Sequence, residues 1–299
     1  MPTFIYNKCP ICQNANYKII GRSDLGEKEI EKPQKSEVVK CLKCNSLFVN
    51  PLPVWSTKDL NTLYSDADSY FIQTKRWNEI KEKKNVEARA NFIKKKLKTE
   101  QKSMLEVGAG IDAFMGKRMN EEGWEVTLQE PSKNYASKLK KRFPSLRIID
   151  SNFLEMDEDK KYAVIYIDSV LEHVHNPLDY LVKATKLLHK GGILYSISPN
   201  EHSFKNWIKM RFKKKNASVS YLCPYTESYH LIGFSKAGFQ ILSAESGLKI
   251  AKYIKKYDYE WFHILERKHG ISKYIVAVIL YFFDLIGKGT NQEIVFIKE

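Results

Sequence analysis

From Ser103 to Asn200 short apolar runs punctuate an otherwise polar chain. The runs at Ser103–Val107, Glu125–Gln129, Arg147–Asp150, Tyr162–Ile167 and Gly192–Ser198 predict buried strands. Between them the pattern predicts helices at Ala113–Glu122, Ser132–Arg142 and Pro177–His189. This alternation places the chain in the α/β class, with a mostly parallel, doubly wound sheet and helices on both faces. Further on, the pattern predicts a helix at Thr226–Ala237, a C-terminal cap at Gly238, a sixth strand at Phe239–Ser243 and a last strand at Glu293–Ile297, seven in all. The block 247–290 is too long for a hairpin loop. It reads as an insertion that carries Tyr253, Tyr257, Tyr259, Trp261, Phe262 and His263, then an apolar helix at Ser272–Ile286. Upstream, the charged stretch Trp77–Leu97 repeats Ile80, Val86, Ala90, Ile93 and Leu97 at roughly helical spacing, which predicts a helix packed on the sheet.

The first strand runs into Met104-Leu-Glu-Val-Gly-Ala-Gly110. Gly108 and Gly110 allow the backbone to turn sharply and lie against a ligand, and the next helix offers N–H groups at its N-terminus. Glu130 ends the second strand about twenty residues later, where a carboxylate can accept hydrogen bonds from both ribose hydroxyls of an adenosine. Gly108-Ala-Gly110-Ile-Asp-Ala113 also fits the dinucleotide pattern G-x-G-x-x-[GA]. Glu106, shortly before the first glycine, suits the ammonium of an amino-acid-bearing cofactor and suits a pyrophosphate badly. Glu106–Gly110, Glu130, Asn152, Asp168 and Asn200 all fall at the carboxyl edge of the expected sheet, where such sheets bind ligands.

Two C-x2-C knuckles, Cys9–Cys12 and Cys41–Cys44, stand 28 residues apart near the N-terminus. Thiolates at this spacing can close a tetrahedral zinc site, structural because four Cys ligands leave no open position. The long gap projects as a hairpin or loose tip at Gly21–Lys35. Cys223 stands alone and reads as packing.

The order of strand, acid, glycine turn, second acid, Asp168-Ser-Val-Leu-Glu-His173-Val, Lys190-Gly-Gly192 and Ser198-Pro-Asn200 resembles the class I S-adenosylmethionine-dependent methyltransferases over about Lys102–Asn200. That family implies a Rossmann-like, seven-stranded sheet. It also implies roles for particular residues. Gly108, Ala109 and Gly110 would line the methionine part of S-adenosylmethionine, and Glu130 with Pro131 the ribose. Asn152 and Phe153 would flank the adenine, and Asp168 and Ser169 would border the sulfonium. The family's third glycine is Asp112 here. A four-Cys module followed by Asn45-Ser-Leu-Phe-Val-Asn-Pro51-Leu-Pro53 and a Tyr-rich segment resembles a bacterial subset of these enzymes, many of them acting in cell-surface polysaccharide or sugar biosynthesis. In relatives a helix near Trp77–Leu97 covers the cofactor. Tyr70 and Arg89 could reach its carboxylate, although Arg89 reads more simply as a surface residue. The expected organisation is a zinc-ribbon-like module at 1–55, a helical cover at 56–100, a catalytic core at 101–246 with a basic-aromatic segment at 201–225, the insertion at 247–290 and the last strand at 291–299.

The net charge of +14, from 49 basic and 35 acidic residues, permits nucleic acid, an anionic membrane surface or an anionic small substrate. The segment Phe204–Lys215 mixes aromatics with bases and suits a substrate lid, a peripheral membrane contact or plain packing. No apolar leader follows Met1, and the longest apolar run, Tyr274–Phe283, is too short to span a bilayer, which predicts a cytoplasmic protein. The apolar helix of the insertion suits a domain or homodimer contact.

Methyl transfer from a sulfonium is an in-line displacement, and a hydroxyl acceptor must also lose a proton. His173, His202 and Tyr221 are the candidates to assist. Relatives frequently carry a His-Leu pair before the helix expected at Thr226, where this chain has Tyr221-Leu222. The preferred reading is a methyltransferase for a hydroxyl of a sugar, nucleotide-sugar or glycan precursor. The alternatives are an RNA methyltransferase and a non-catalytic module that keeps the fold.

Overall fold

The structure, a computed structural model, describes residues 3–22, 36–53, 85–211, 222, 230–256, 274, 275, 278, 282, 286 and 288–299, with backbone only at 3, 22, 53, 205, 208–210 and 256. The strands are β1 Thr3–Phe4, β2 Tyr17–Arg22, β3 Glu37–Cys41, β4 Leu47–Asn50, β5 Leu52–Pro53, β6 Ser103–Val107, β7 Glu125–Gln129, β8 Arg147–Ile149, β9 Tyr162–Asp168, β10 Leu188–Pro199, β11 Ile232–Gly233, β12 Lys249–Lys256 and β13 Asn291–Ile297. The helices are α1 over 85–96, α2 Phe114–Glu121, α3 Lys133–Arg142, α4 Pro177–Leu187, α5 Phe204–Arg211 and α6 Lys236–Ser246.

Seven strands form one sheet in the order β12-β13-β10-β9-β6-β7-β8. β8, β7, β6, β9 and β10 run parallel, and β13 pairs antiparallel with both β10 and β12. Side chains alternate between two cores along each central strand, as the pleat requires. Met104, Val164, Tyr195 and Val295 pack with Val86, Ala90 and Ile93 of α1 and with Met115 and Met119 of α2. Their neighbours Leu105, Ile165, Leu194 and Phe296 pack on the other face with α4 and α6. The doubly wound reading and the seven strands both hold.

That second core does not stop at the helices. It continues through Phe48, Val38, Leu47, Cys9 and Cys44. β2, β3, β4 and β11 form a four-stranded sheet, so a short strand from late in the chain completes the N-terminal module. Ile232 pairs with Phe48 and Gly233 with Leu47, and Ser235 donates through its N–H to Ser46 Oγ at 3.2 Å and through its hydroxyl to the Cys44 carbonyl. β2 and β3, which flank 23–35, pair antiparallel as the hairpin reading expects.

One stretch departs from the prediction. Phe239–Ser243 is helix, not strand, and the described residues from 230 to 235 are not helical. Ser235 caps α6 by accepting from Gly238 N–H, and Gly247 closes it in the left-handed conformation. Gly238 therefore lies in the first turn rather than at a C-terminal cap. The sixth strand is β12, drawn from the range read as an insertion, and it forms the sheet edge beside β13. Among the described residues no helix is long and apolar enough to cross a membrane. Tyr274, Ile275, Val278, Phe282 and Ile286 are exposed, and most of the remaining insertion lies outside the described residues.

Candidate functional site

The turn after β6 is built by side chains from β7. Gly108 N–H donates to Gln129 Oε1 at 3.1 Å, Ala109 N–H to the Gln129 carbonyl at 3.0 Å, and Gly110 N–H to Glu130 Oε2 at 3.0 Å. Gly108 and Gly110 have φ of 65° and 60°, which glycine adopts without steric cost. A Cβ on Gly108 would come within 2.5 Å of Val170 Cγ2, whereas one on Gly110 would meet nothing within 4 Å. The backbone at Gly110 thus faces open space. Glu130 also accepts from Ser132 N–H at 2.8 Å, so its carboxylate bridges the turn and the start of α3, and burial raises its pKa. Pro131 is exposed at the same corner.

Glu106 is placed differently from the expectation. Its Oε2 accepts from Gly116 N–H at 2.7 Å, inside the first turn of α2. The strand acid occupies a helix donor that the sequence reading left for a ligand. Burial pushes Glu106 up to about 8, the Gly116 donor opposes this, and the charge of Asp168 adds to it.

Asp168 ends β9 at the same edge. Tyr166 donates to its Oδ2 at 3.0 Å, Ser169 donates to its Oδ1 at 3.1 Å, and Ser169 sits at φ 54°. Arg89 reaches the same carboxylate at 3.6 Å. Arg89 is not a surface residue: it is 5% exposed, and it donates to Glu293 Oε1 at 3.0 Å and to Tyr166 at 3.3 Å. Burial works against its charge, but Tyr166, Asp168 and Glu293 hold its pKa well above the ordinary value. Tyr195 completes the network by donating to Glu293 Oε2 at 2.6 Å. α1 is thereby tied to the site edge through buried charge.

Asn152 caps the short turn Phe153–Glu155 by accepting from Leu154 N–H at 3.0 Å. Phe153 is a core residue, 1% exposed and 5.3 Å from the Tyr180 ring, so it has no free face to offer an adenine. His173 lies on the one-turn 3-10 helix Leu171–His173 after β9 and meets His230 edge to face, with ring centroids 4.8 Å apart. His202 is elsewhere: its imidazole bonds the Asn45 backbone beside the second Cys knuckle, and burial lowers its pKa to about 4. Tyr221 and Tyr70 lie outside the described residues.

A family model described as a methyltransferase domain matches residues 77–252, more than half of the chain. The chain belongs to this methyltransferase family. Three solved structures share its fold. A S-adenosylmethionine-dependent methyltransferase from Clostridium acetobutylicum ATCC 824 has a TM-score of 0.52 at 7% identity, over 78% of this chain and 98% of that one. A SAM-dependent methyltransferase from Archaeoglobus fulgidus gives 0.50 at 16%, over 77% and 99%. One from Leishmania major gives 0.51 at 13%, over 80% of each. Comparison with curated proteins gives no match.

In this methyltransferase the matched region begins after the Cys module. Cys9 Sγ lies 3.7 Å from Cys44 Sγ and Cys12 Sγ 3.4 Å from Cys41 Sγ, with all four sulfurs within 4.8 Å of one another. The contact with Cys9 lowers Cys44 to about 5 and raises Cys9, while burial raises Cys12 to about 11. His230 has no place in the sequence reading, and Arg89, which that reading names but prefers at the surface, is buried. The signal for His230 was present: His230-Leu231 precedes α6, and a correct start for that helix at Ser235 would have found the His-Leu pair.

Proposed function

We propose that the protein transfers a methyl group from S-adenosylmethionine to a hydroxyl of a small acceptor, a sugar, nucleotide-sugar or glycan precursor. The observation that carries this reading is the hydrogen bond between Gly110 and Glu130: the two halves of a nucleoside signature, twenty residues apart, meet at an open glycine backbone. The cofactor supplies an activated methyl on a sulfonium when bound. Gly108, Ala109 and Gly110 would line its methionine end, with Glu130 and Pro131 toward the ribose and Asn152 at the adenine side. Asp168 and Ser169 would border the sulfonium. Glu106 and Asp168 would offer two carboxyl groups to the cofactor's ammonium, and such a cation would return Glu106 to its charged form.

Acceptance of the hydroxyl proton falls to an imidazole. His173, just past β9, is the candidate, with His230 edge to face against it; burial lowers His230 to about 3 and makes it the weaker base of the two. His202 belongs instead to the contact with the Cys module. Cys9, Cys12, Cys41 and Cys44 would hold a structural Zn2+: a tetrahedron with Zn–S near 2.3 Å has sulfurs about 3.8 Å apart, close to the spacing of this set. Part of the positive charge lies at the opposite edge of the sheet, where Lys98, Lys190, Lys249 and Lys298 line a hollow. The charge therefore says little about the acceptor.

Calorimetric titration with S-adenosylhomocysteine tests the reading. The wild type should bind with Kd on the order of 1–100 μM, and Glu130→Ala should remove binding. A wild type that binds nothing sinks the methyltransferase activity for this chain.

A further inference from the structure

Glu172 is 1% exposed, and neither of its carboxylate oxygens has a hydrogen-bond partner. Nδ1 of His230 is also buried and without one. A buried carboxylate without donors is costly, and three things can settle it: a proton, a water or a cation. The surroundings favour the cation. Ligand atoms of Glu172, His173 and His230 all lie within 4.8 Å of one another. The set is held from two directions. Glu172 and His173 sit on the turn after β9, and Leu231 N–H donates to the Glu172 carbonyl at 2.8 Å, which fixes His230 beside them.

We propose that Glu172, His173 and His230 form a second metal site, for a divalent transition-metal cation of the Zn2+ or Mn2+ class. Two imidazoles and one carboxylate suit these ions, whereas Mg2+ and Ca2+ prefer oxygen alone. Each donor would stand about 2.0–2.2 Å from the ion, so the three ligand atoms, within 4.8 Å of one another here, would draw in to about 3.4 Å apart around it. A cation there would offset the charge of the buried Glu172 carboxylate and give the buried His230 Nδ1 a partner. Three protein ligands leave coordination positions open, unlike the four-Cys set, and with the ion bound the two imidazoles act as ligands in place of the proton-accepting role proposed above. The site adjoins Asp168, whose charge acts on Glu172, so the ion would lie beside the edge where methyl transfer is proposed.

The test is a metal count on the full chain, loaded with Zn2+, passed through gel filtration and measured by mass spectrometry. The wild type should carry about one equivalent more than Glu172→Gln and than His230→Asn, while both variants keep the zinc of the four-Cys set. That retained zinc reports that the variants still fold around the N-terminal module. Cobalt loading separates the sites a second way: the thiolate charge-transfer bands should persist in the variants while the weak visible bands of an N/O site disappear. Equal metal content in wild type and both variants overturns the proposal, as does a wild type whose cobalt spectrum holds only the thiolate site. The count needs no enzymatic turnover, so it fails or succeeds apart from the proposed methyl transfer.

Discussion

Among the described residues two clusters of side chains could hold a metal ion, and they are made in different ways. Cys9, Cys12, Cys41 and Cys44 come from two short repeats on facing turns of one small sheet. Glu172, His173 and His230 come from a turn after a central strand and from a segment 57 positions further on, which the β4–β11 pairing anchors beside that turn. The first can be read from spacing because the local turn sets the distance between ligands. The second exists only because the chain returns across the Cys module before α6. The difference extends to access: four thiolates close their site, whereas a carboxylate and two imidazoles beside a cofactor edge leave room for a ligand.

The sharpest way to break the comparison is to remove the local cluster. Cys44→Ser should strip the structural zinc, taking on the order of 10 kcal/mol of metal-binding free energy from the folded state. Because Cys44, Phe48 and Phe239 share one core, thermal unfolding of the whole chain should shift, not the module alone. Unchanged melting of a zinc-free variant would mean that the knuckles hold nothing essential. The next test strikes a cluster assembled by the fold. Arg89→Met leaves the buried Glu293 carboxylate without its cation, with only neutral donors such as Tyr195 against it, and removes one of the groups that hold Asp168. Breaking a buried pair by one partner costs about 3–5 kcal/mol, and denaturant unfolding should show it. A loss below about 1 kcal/mol would place Arg89 with ordinary exposed pairs, as its sequence context suggested.

That misreading and the others share a cause. The glycine turn, Glu130 and the five parallel strands were legible because neighbouring residues carry both pattern and chemistry. Arg89 sits on a lysine-rich helix, and nothing local distinguishes an Arg that faces Glu293, some 200 positions later. α6 buries Gly238, Phe239, Leu242, Ser243 and Ser246, a helical period in which three of five positions are not apolar. Only Phe239, Ile241 and Leu242 stood out, and they mimic a short strand. β12 was hidden for the opposite reason: as an edge strand it exposes lysines that a central strand could not tolerate. Because α6 starts at Lys236 and not at Thr226, the His-Leu pair that precedes it is His230-Leu231.

Glu106 gives the finest test, since it lies on the expected strand while its carboxylate meets a donor of α2. Its folded-state pKa, about 8, lies above the ordinary 4.5. Between those values the folded protein binds the proton that the unfolded chain has released. Stability from this group is therefore greatest below about pH 4.5 and declines as pH rises toward 8, by at most about 1.4 kcal/mol per pH unit. Glu106→Gln keeps an oxygen for Gly116 N–H and cannot titrate. In the cofactor-free protein the variant should therefore gain on the wild type as denaturation midpoints are taken from pH 5.5 to pH 8. S-adenosylhomocysteine should flatten the wild-type slope, because an ammonium near Glu106 favours the carboxylate. A wild-type slope that the cofactor leaves unchanged would assign Glu106 to the helix alone. It would also leave Asp168, with its exposed carboxylate, as the acid that meets the ligand.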